Sequence, residues 1–256
     1  VRHGTIRYKY FKSSHNPVGI NGVKLSALRH LGCYAEHATT DLVVCTNGNG
    51  CVCWNQYLCR FRNGRPSVAL HGDAADVVVR DLRGHGVTPR RRGDIDYINQ
   101  FEDDLADLIK ATAQPNQKVV VLGHSSSGGL VVRFAGGEHG EIIDHAVLLA
   151  PFLKHNAPTT RKNSVRWAHV HMRRLIGLSI LNTFRITVRN HLGVIQFSMP
   201  KQVLDGSLGD TATTRYSYSL NADFAPRCDY LRDIAALPAF AVITGSADES
   251  FVAAQY

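Results

Sequence analysis

Apolar residues fall into two rhythms along the chain. Short apolar runs, Leu42 to Cys45, Val77 to Val79, Val119 to Leu122, Ala146 to Leu149 and Phe240 to Ile243, are each bounded by polar or glycine-rich segments and predict buried strands. Between the second and third of these, IDYINQFEDDLADLIKAT (95–112) changes to a helical period. Ile95, Ile98, Leu105, Leu108 and Ile109 form one apolar face, and Asp94 is placed to cap it. Glu102, Asp103, Asp104 and Asp107 fall on the other face and are expected in solvent. A second helix is expected through Leu130, and strand alternating with helix is the signature of a mostly parallel sheet. At the start, Thr5 to Ser13 and Val18 to Leu31 predict an antiparallel hairpin whose second arm carries an Asn21-Gly22 turn.

The rhythm breaks after Pro151. About 85 residues separate the strand ending near Leu149 from the one starting near Leu237, far more than a crossover helix uses. The expectation is a core over residues 1–151, a lid or cap inserted over 152–236, and a return to the core over 237–256. Within the insertion, Val165 to Phe184 carries Trp167, Val170, Leu175, Ile176, Leu178, Ile180 and Leu181 beside Arg173 and Arg174. This band reads either as a helix packed on the core or as an acyl-binding or membrane-facing cap.

The chemistry concentrates in Lys118 to Leu130, KVVVLGHSSSGGL. A strand that turns sharply into a helix with a serine at the apex lifts the hydroxyl clear of the sheet and aims the next backbone N–H groups at a developing oxyanion. Ser125 is the candidate nucleophile: among the three serines it alone has a glycine two residues before it and directly follows the strand. Ser127 stands where the Gly-x-Ser-x-Gly pattern has its second glycine.

DLRGHG (81–86) follows the Val77 to Val79 run, HAVLLAP (145–151) follows the serine helix, and FAVITGSADESF (240–251) ends in a Gly-x-x-Asp turn. In this order the motifs resemble the α/β-hydrolase superfamily, and GHSSSGGLVVRFAGG with DLRGHG is most similar to its monoacylglycerol lipase and lysophospholipase branch. The resemblance implies a parallel sheet flanked by helices, Ser125 as nucleophile, Asp248 as the acid that orients a histidine, and the Ser126 N–H as half of an oxyanion hole. The other half is implied in the loop after the third strand, where Gly48 and Asn49 follow Leu42 to Cys45; His71-Gly72 is a rival.

The family order is Ser, acid, His. This sequence reaches Tyr256 eight residues past Asp248, with no histidine after His191. The resemblance implies a catalytic histidine beyond Tyr256, in a final strand, helix and loop that a sequence opening on Val1 does not include. Loss of activity, or substitution by another histidine, is the alternative. His124 is expected to brace the turn, His85 to be structural, and His155, His169, His171 and His191 to lie at the surface. The implied function is hydrolysis of a small or lipid carboxylic ester through an acyl-enzyme on Ser125. An inactive binding protein of the same fold, or an acyltransferase or peptidase using the same serine, remain open.

Composition adds little to this. With 44% apolar and 20% charged residues the chain can bury a large core. The net charge is +8, and the basic residues are dispersed, their largest clusters being Arg90-Arg91-Arg92 and Arg173-Arg174. No nucleic-acid module surrounds them, so they read first as a solvated basic face, with weak contact with an anionic membrane surface as the alternative partner besides the substrate. No apolar run is long enough to span a bilayer and Val1 to Tyr10 lacks a signal-peptide core, which predicts a cytoplasmic protein. Cys33, Cys45, Cys51, Cys53 and Cys59 crowd together without zinc-knuckle spacing, and His169 and His171, two apart on a helix, would diverge. No metal and no cofactor are expected.

Overall fold

A computed structural model describes residues 6–11, 17–19, 41–47, 75–162, 168–199, 201–206 and 209–256. The predicted runs form a seven-stranded sheet. Its strands are β1 (Ile6–Phe11), β2 (Pro17–Gly19), β3 (Asp41–Asn47), β4 (Ala75–Asp81), β5 (Val119–His124), β6 (His145–Leu149) and β10 (Ala239–Gly245), in the order β2-β1-β10-β6-β5-β3-β4. From β10 to β4 every pairing is parallel. β1 joins β10 and β2 antiparallel, so the opening hairpin pairs Lys9 to Phe11 with Gly19 to Pro17. The Asn21-Gly22 turn lies outside the described residues.

Helices α1 (Gln100–Thr112) and α2 (Ser126–Ala135) pack against the centre of the sheet. Leu105 and Ile109 of α1 and Val131, Val132 and Phe134 of α2 close over Val119 and Val121 of β5, Ala146 and Leu148 of β6 and Val242 of β10. Val120 and Leu122 on the opposite face of β5 are buried as well, which is why this strand reads as a continuous apolar run.

The helix does not start where the sequence placed it. It begins at Gln100, and its N-cap is Asn99, held at φ 86° with no side-chain cap. Asp94 does not cap it. The cap comes from a residue 124 positions away: Asp223 accepts the N–H groups of Asn99 (2.8 Å) and Phe101 (2.9 Å) through its two carboxylate oxygens. The acidic face is also not wholly in solvent. Glu102 is buried, because Arg133 of α2 (2.7 Å) and Arg227 (2.8 Å) pair with it. The Arg133 guanidinium also donates to Asn99 Oδ1 and to the carbonyls of Ala222 and Ala225. Burial pushes the Asp223 carboxyl up to about 6, against the pull of its two N–H donors and of Arg133.

Residues between β6 and β10 build a separate three-stranded antiparallel sheet, β7 (Ala168–Val170), β8 (Gly193–Phe197) and β9 (Arg215–Ser217), in that order. With it come helices α3 (Met172–Thr183), α4 (Lys201–Leu204), α5 (Tyr218–Phe224) and α6 (Tyr230–Ala235). Phe197, Tyr216, Leu220 and Phe224 of this segment share one apolar cluster with Leu82, Ile95, Phe101 and Leu130. His169 sits in β7 and His171 just past it. In an extended chain residues two apart share a face, so the two rings meet edge to face at 4.8 Å rather than diverging.

Candidate active site

The turn between β5 and α2 is shaped by three glycines. A Cβ on Gly123 would lie 2.4 Å from the Ser127 carbonyl oxygen, one on Gly128 2.8 Å from the Pro151 side chain, and one on Gly129 2.3 Å from the Phe152 carbonyl oxygen. Strand, helix and the segment after β6 approach more closely than any side chain allows. Ser127 is fully buried, with no hydrogen-bond partner for its Oγ among the described residues.

Ser125 stands at the apex with φ 53° and ψ −117°, outside the regions an L-residue prefers. Such a conformation costs on the order of 1–3 kcal/mol and persists only where neighbours over-determine it. Three backbone hydrogen bonds do so here: the Ser125 N–H donates to Leu149 O (2.9 Å), and the Ser125 carbonyl accepts from Gly129 (3.1 Å) and Phe152 (2.8 Å). A second non-glycine residue with positive φ, Ala150 at 41°, sits at the same edge of the sheet and donates its N–H to Ile243 of β10. Ser126 is the first residue of α2, and N–H groups of a first helical turn have no acceptor within the helix.

β3 lies directly beside β5. Thr46 is in register with Gly123, so the chain leaves β3 at Asn47 level with the start of the turn that carries Ser125. Gly48 and Asn49, like His71 and Gly72, lie outside the described residues. So do Cys33, Cys51, Cys53 and Cys59, whereas Cys45 is in the middle of β3.

Asp248 follows β10, which pairs with β6, which pairs with β5. Its Oδ1 accepts the N–H groups of Ser250 (2.8 Å) and Phe251 (2.9 Å), leaving Oδ2 outside these two bonds. A strap from the segment after β6 holds the turn: Arg161 donates from Nε to the Asp248 carbonyl (2.8 Å) and from its N–H to Ser250 O, and Val252 donates to Thr159 O. Tyr256 closes the same corner by donating its hydroxyl to Pro151 O at 2.5 Å. Burial raises the Tyr256 phenol well above its ordinary value, and the charge of Asp248 adds to that. Neither the strap nor Tyr256 was legible in the sequence, since no local pattern links residues 159–161 to 248–252.

The histidines separate clearly. His85 is buried, its Nδ1 against Arg83 O and its Nε2 against the Tyr216 hydroxyl, both at 3.0 Å. Burial lowers its pKa to about 4. His124, the last residue of β5, is also held below the ordinary histidine value by burial, and the nearby Asp248 carboxylate opposes that shift. Its Nδ1 is buried with no hydrogen-bond partner among the described residues. His155, His169 and His191 are exposed and His171 partly so. Among the described residues no group of three metal-ligating side chains occurs.

Residues 65–205, more than half of the chain, match the family described as Serine aminopeptidase, S33. No curated protein matches by sequence. Among solved structures, a Burkholderia cenocepacia protein assigned as an aryl esterase superposes with a TM-score of 0.51 at 16% identity, over 84% of this chain and 74% of that one. A soluble variant of the Saccharomyces cerevisiae monoglyceride lipase, in complex with a substrate analog, gives 0.47 at 16% identity, over 76% and 60%. The Paleococcus ferrophilus monoacylglycerol lipase gives 0.47 at 20%, over 73% and 67%. The chain thus spans 60% of the yeast enzyme's length.

Proposed function

Because this chain belongs to the Serine aminopeptidase S33 family and has an α/β-hydrolase fold, we propose that it is part of a serine hydrolase that cleaves a carboxylic ester through an acyl-enzyme on Ser125. The observation that carries this reading is the backbone of Ser125, held at φ 53° and ψ −117° between a buried strand and a helix N-terminus. A hydroxyl so placed attacks an acyl carbonyl from the helix side, where the Ser126 N–H meets the developing oxyanion. The loop leaving β3, with Gly48 and Asn49, supplies the second donor.

Asp248 orients the general base. The ends of β5 and β10 are two strand spacings apart, roughly 10 Å, a gap that an imidazole bridges between a serine hydroxyl and a carboxylate. The base is a histidine beyond Tyr256, following the family's Ser, acid, His order. Residues 152–236 cover the site and select the acyl group. The substrate is a lipid monoester, monoacylglycerol or lysophospholipid, supported by the likeness of GHSSSGGLVVRFAGG and DLRGHG to that branch. A second reading, cleavage of an amide, draws on the family's description alone, and paired ester and amide substrates separate the two.

Intact-mass labelling of the full-length protein with a fluorophosphonate probe tests the nucleophile. One adduct per chain is expected, absent in Ser125→Ala. An adduct that survives the substitution, or none in the wild type, overturns the assignment.

A further inference from the structure

The sheet β7-β8-β9 buries one face and shows the other. Ala168, Ile195, Phe197 and Tyr216 belong to the apolar cluster that holds Leu82 and Phe101. Directly opposed residues of an antiparallel sheet share a face, and alternate residues along a strand take the other one. In register on the second face stand His169 of β7, Gln196 of β8 and Arg215 of β9, all three exposed. Where β7 leads into α3, His169, His171, Arg173 and Arg174 line an open cavity of about 450 Å³.

Two arginines converge on one glycine beside this cavity. Arg174 donates from Nη1 to the Gly193 carbonyl at 2.6 Å. Arg215 lies across the same residue: a Cβ on Gly193 would stand 2.7 Å from its Cδ and 2.8 Å from its Nε. Glycine at this position leaves room for the arginine to lie along the strand, and any other residue would push it aside. Among the described residues, Arg173, Arg174 and Arg215 form no ion pair with a carboxylate. Residues 145–204 contain neither aspartate nor glutamate. The contrast is with Arg133 and Arg227, which gather around the Glu102 carboxylate.

Cations held together without a counter-charge repel one another, and an anion bound among them relieves the repulsion. The donors select the anion. Two imidazoles, the Gln196 amide and three guanidinium groups offer more N–H donors than the two oxygens of a carboxylate can take up. A phosphate group brings three acceptor oxygens and close to twice the charge, and guanidinium forks match its geometry. We infer that the exposed face of the β7-β8-β9 sheet, from the His169–Arg174 cavity to Arg215, binds the phosphate group of a soluble phosphomonoester or diphosphate.

Isothermal titration of the full-length protein with inorganic phosphate and with pyrophosphate tests this. One saturable site per chain is expected at about 50 mM salt, tighter for pyrophosphate and weaker at about 300 mM. Arg173→Gln with Arg215→Gln lowers the affinity at least ~10-fold without changing the ligand-free Tm, since both side chains are exposed. Gly193→Ala, which keeps every charge and displaces Arg215, lowers it as well. Arg185→Gln with Arg189→Gln, two exposed arginines that do not line the cavity, leaves it unchanged. No saturable binding of either anion, or an equal loss in the Arg185 and Arg189 variant, overturns the proposal. So does binding that disappears once metal is stripped on a chelating resin, which would give His169 and His171 to a metal ion. Attachment to phosphatidic acid vesicles without uptake of either soluble anion also overturns it. The readout does not involve hydrolysis: Ser125→Ala binds both anions as the wild type does, so failure of the ester-hydrolase reading and failure of this one are distinguishable.

Discussion

The buried imidazole of His85 sets a pH limit on how firmly the segment between β6 and β10 is fastened to the core. A carbonyl can only accept, so the nitrogen facing Arg83 O, Nδ1, carries the hydrogen, and Nε2 accepts from the Tyr216 hydroxyl of β9. Protonation would add a charge among Phe101, Tyr216 and Phe224, whose rings surround the imidazole with centroids 5.4 to 6.4 Å away. Burial therefore holds the folded pKa near 4, below the value of about 6.5 in the unfolded chain. Between these values the unfolded chain binds the extra proton, so stability rises with pH. The contribution is fully present above about pH 6.5 and is lost as pH falls through 4. The gap corresponds to about 3 kcal/mol, since each pH unit is worth about 1.4 kcal/mol. Urea unfolding of the wild type and His85→Gln at neutral pH and at pH near 4 isolates the effect from other groups. The wild type's advantage over the variant should shrink by about 3 kcal/mol on acidification. An advantage independent of pH, or an NMR titration of His85 with a midpoint near 6.5, would refute the reasoning.

Two further outcomes follow from the site and its support. Asp248→Asn in the full-length protein should lower ester turnover by about 10⁴-fold while leaving the fold intact, read as kcat with a parallel thermal melt. Arg133→Met removes one of the two arginine partners of Glu102 and leaves the Asp223 carboxylate with its backbone donors alone, so unfolding free energy should fall by ~3–5 kcal/mol in a urea titration. Combined replacement of Arg133 and Glu102 by apolar residues of similar size should recover part of that loss.

The strain at the sheet edge and the ion network behind it serve one geometry. α2 follows the strained Ser125 and carries Arg133 two turns later, where the guanidinium ties Glu102 of α1 to the carbonyls of Ala222 and Ala225 at the end of α5. Arg227 closes the same network by donating to Arg133 O, Asp233 and Glu102. The helix that presents the Ser126 N–H is thus anchored by charge at its far end and by backbone hydrogen bonds at its start.

Local chemistry was enough to determine the strands of the parallel sheet, the turn and its apical residue, but not β7, β8 and β9. A buried strand must be apolar along its length, and a strand-to-helix turn this tight must carry glycine where Gly123, Gly128 and Gly129 stand. Both requirements act between neighbours in the chain, so both are written as short patterns. What joined those pieces was not written that way. The α1 cap is Asp223 rather than Asp94, and Glu102 is buried because Arg133 and Arg227 reach it. Asp248 is held by Arg161, and α3 shows Met172, Ile176 and Ile180 to solvent because its other side took the contacts with Val194 and Tyr218. Each of these depends on which groups remained unsatisfied once the sheet and helices had packed, a question about distances through space that only the tertiary structure decided.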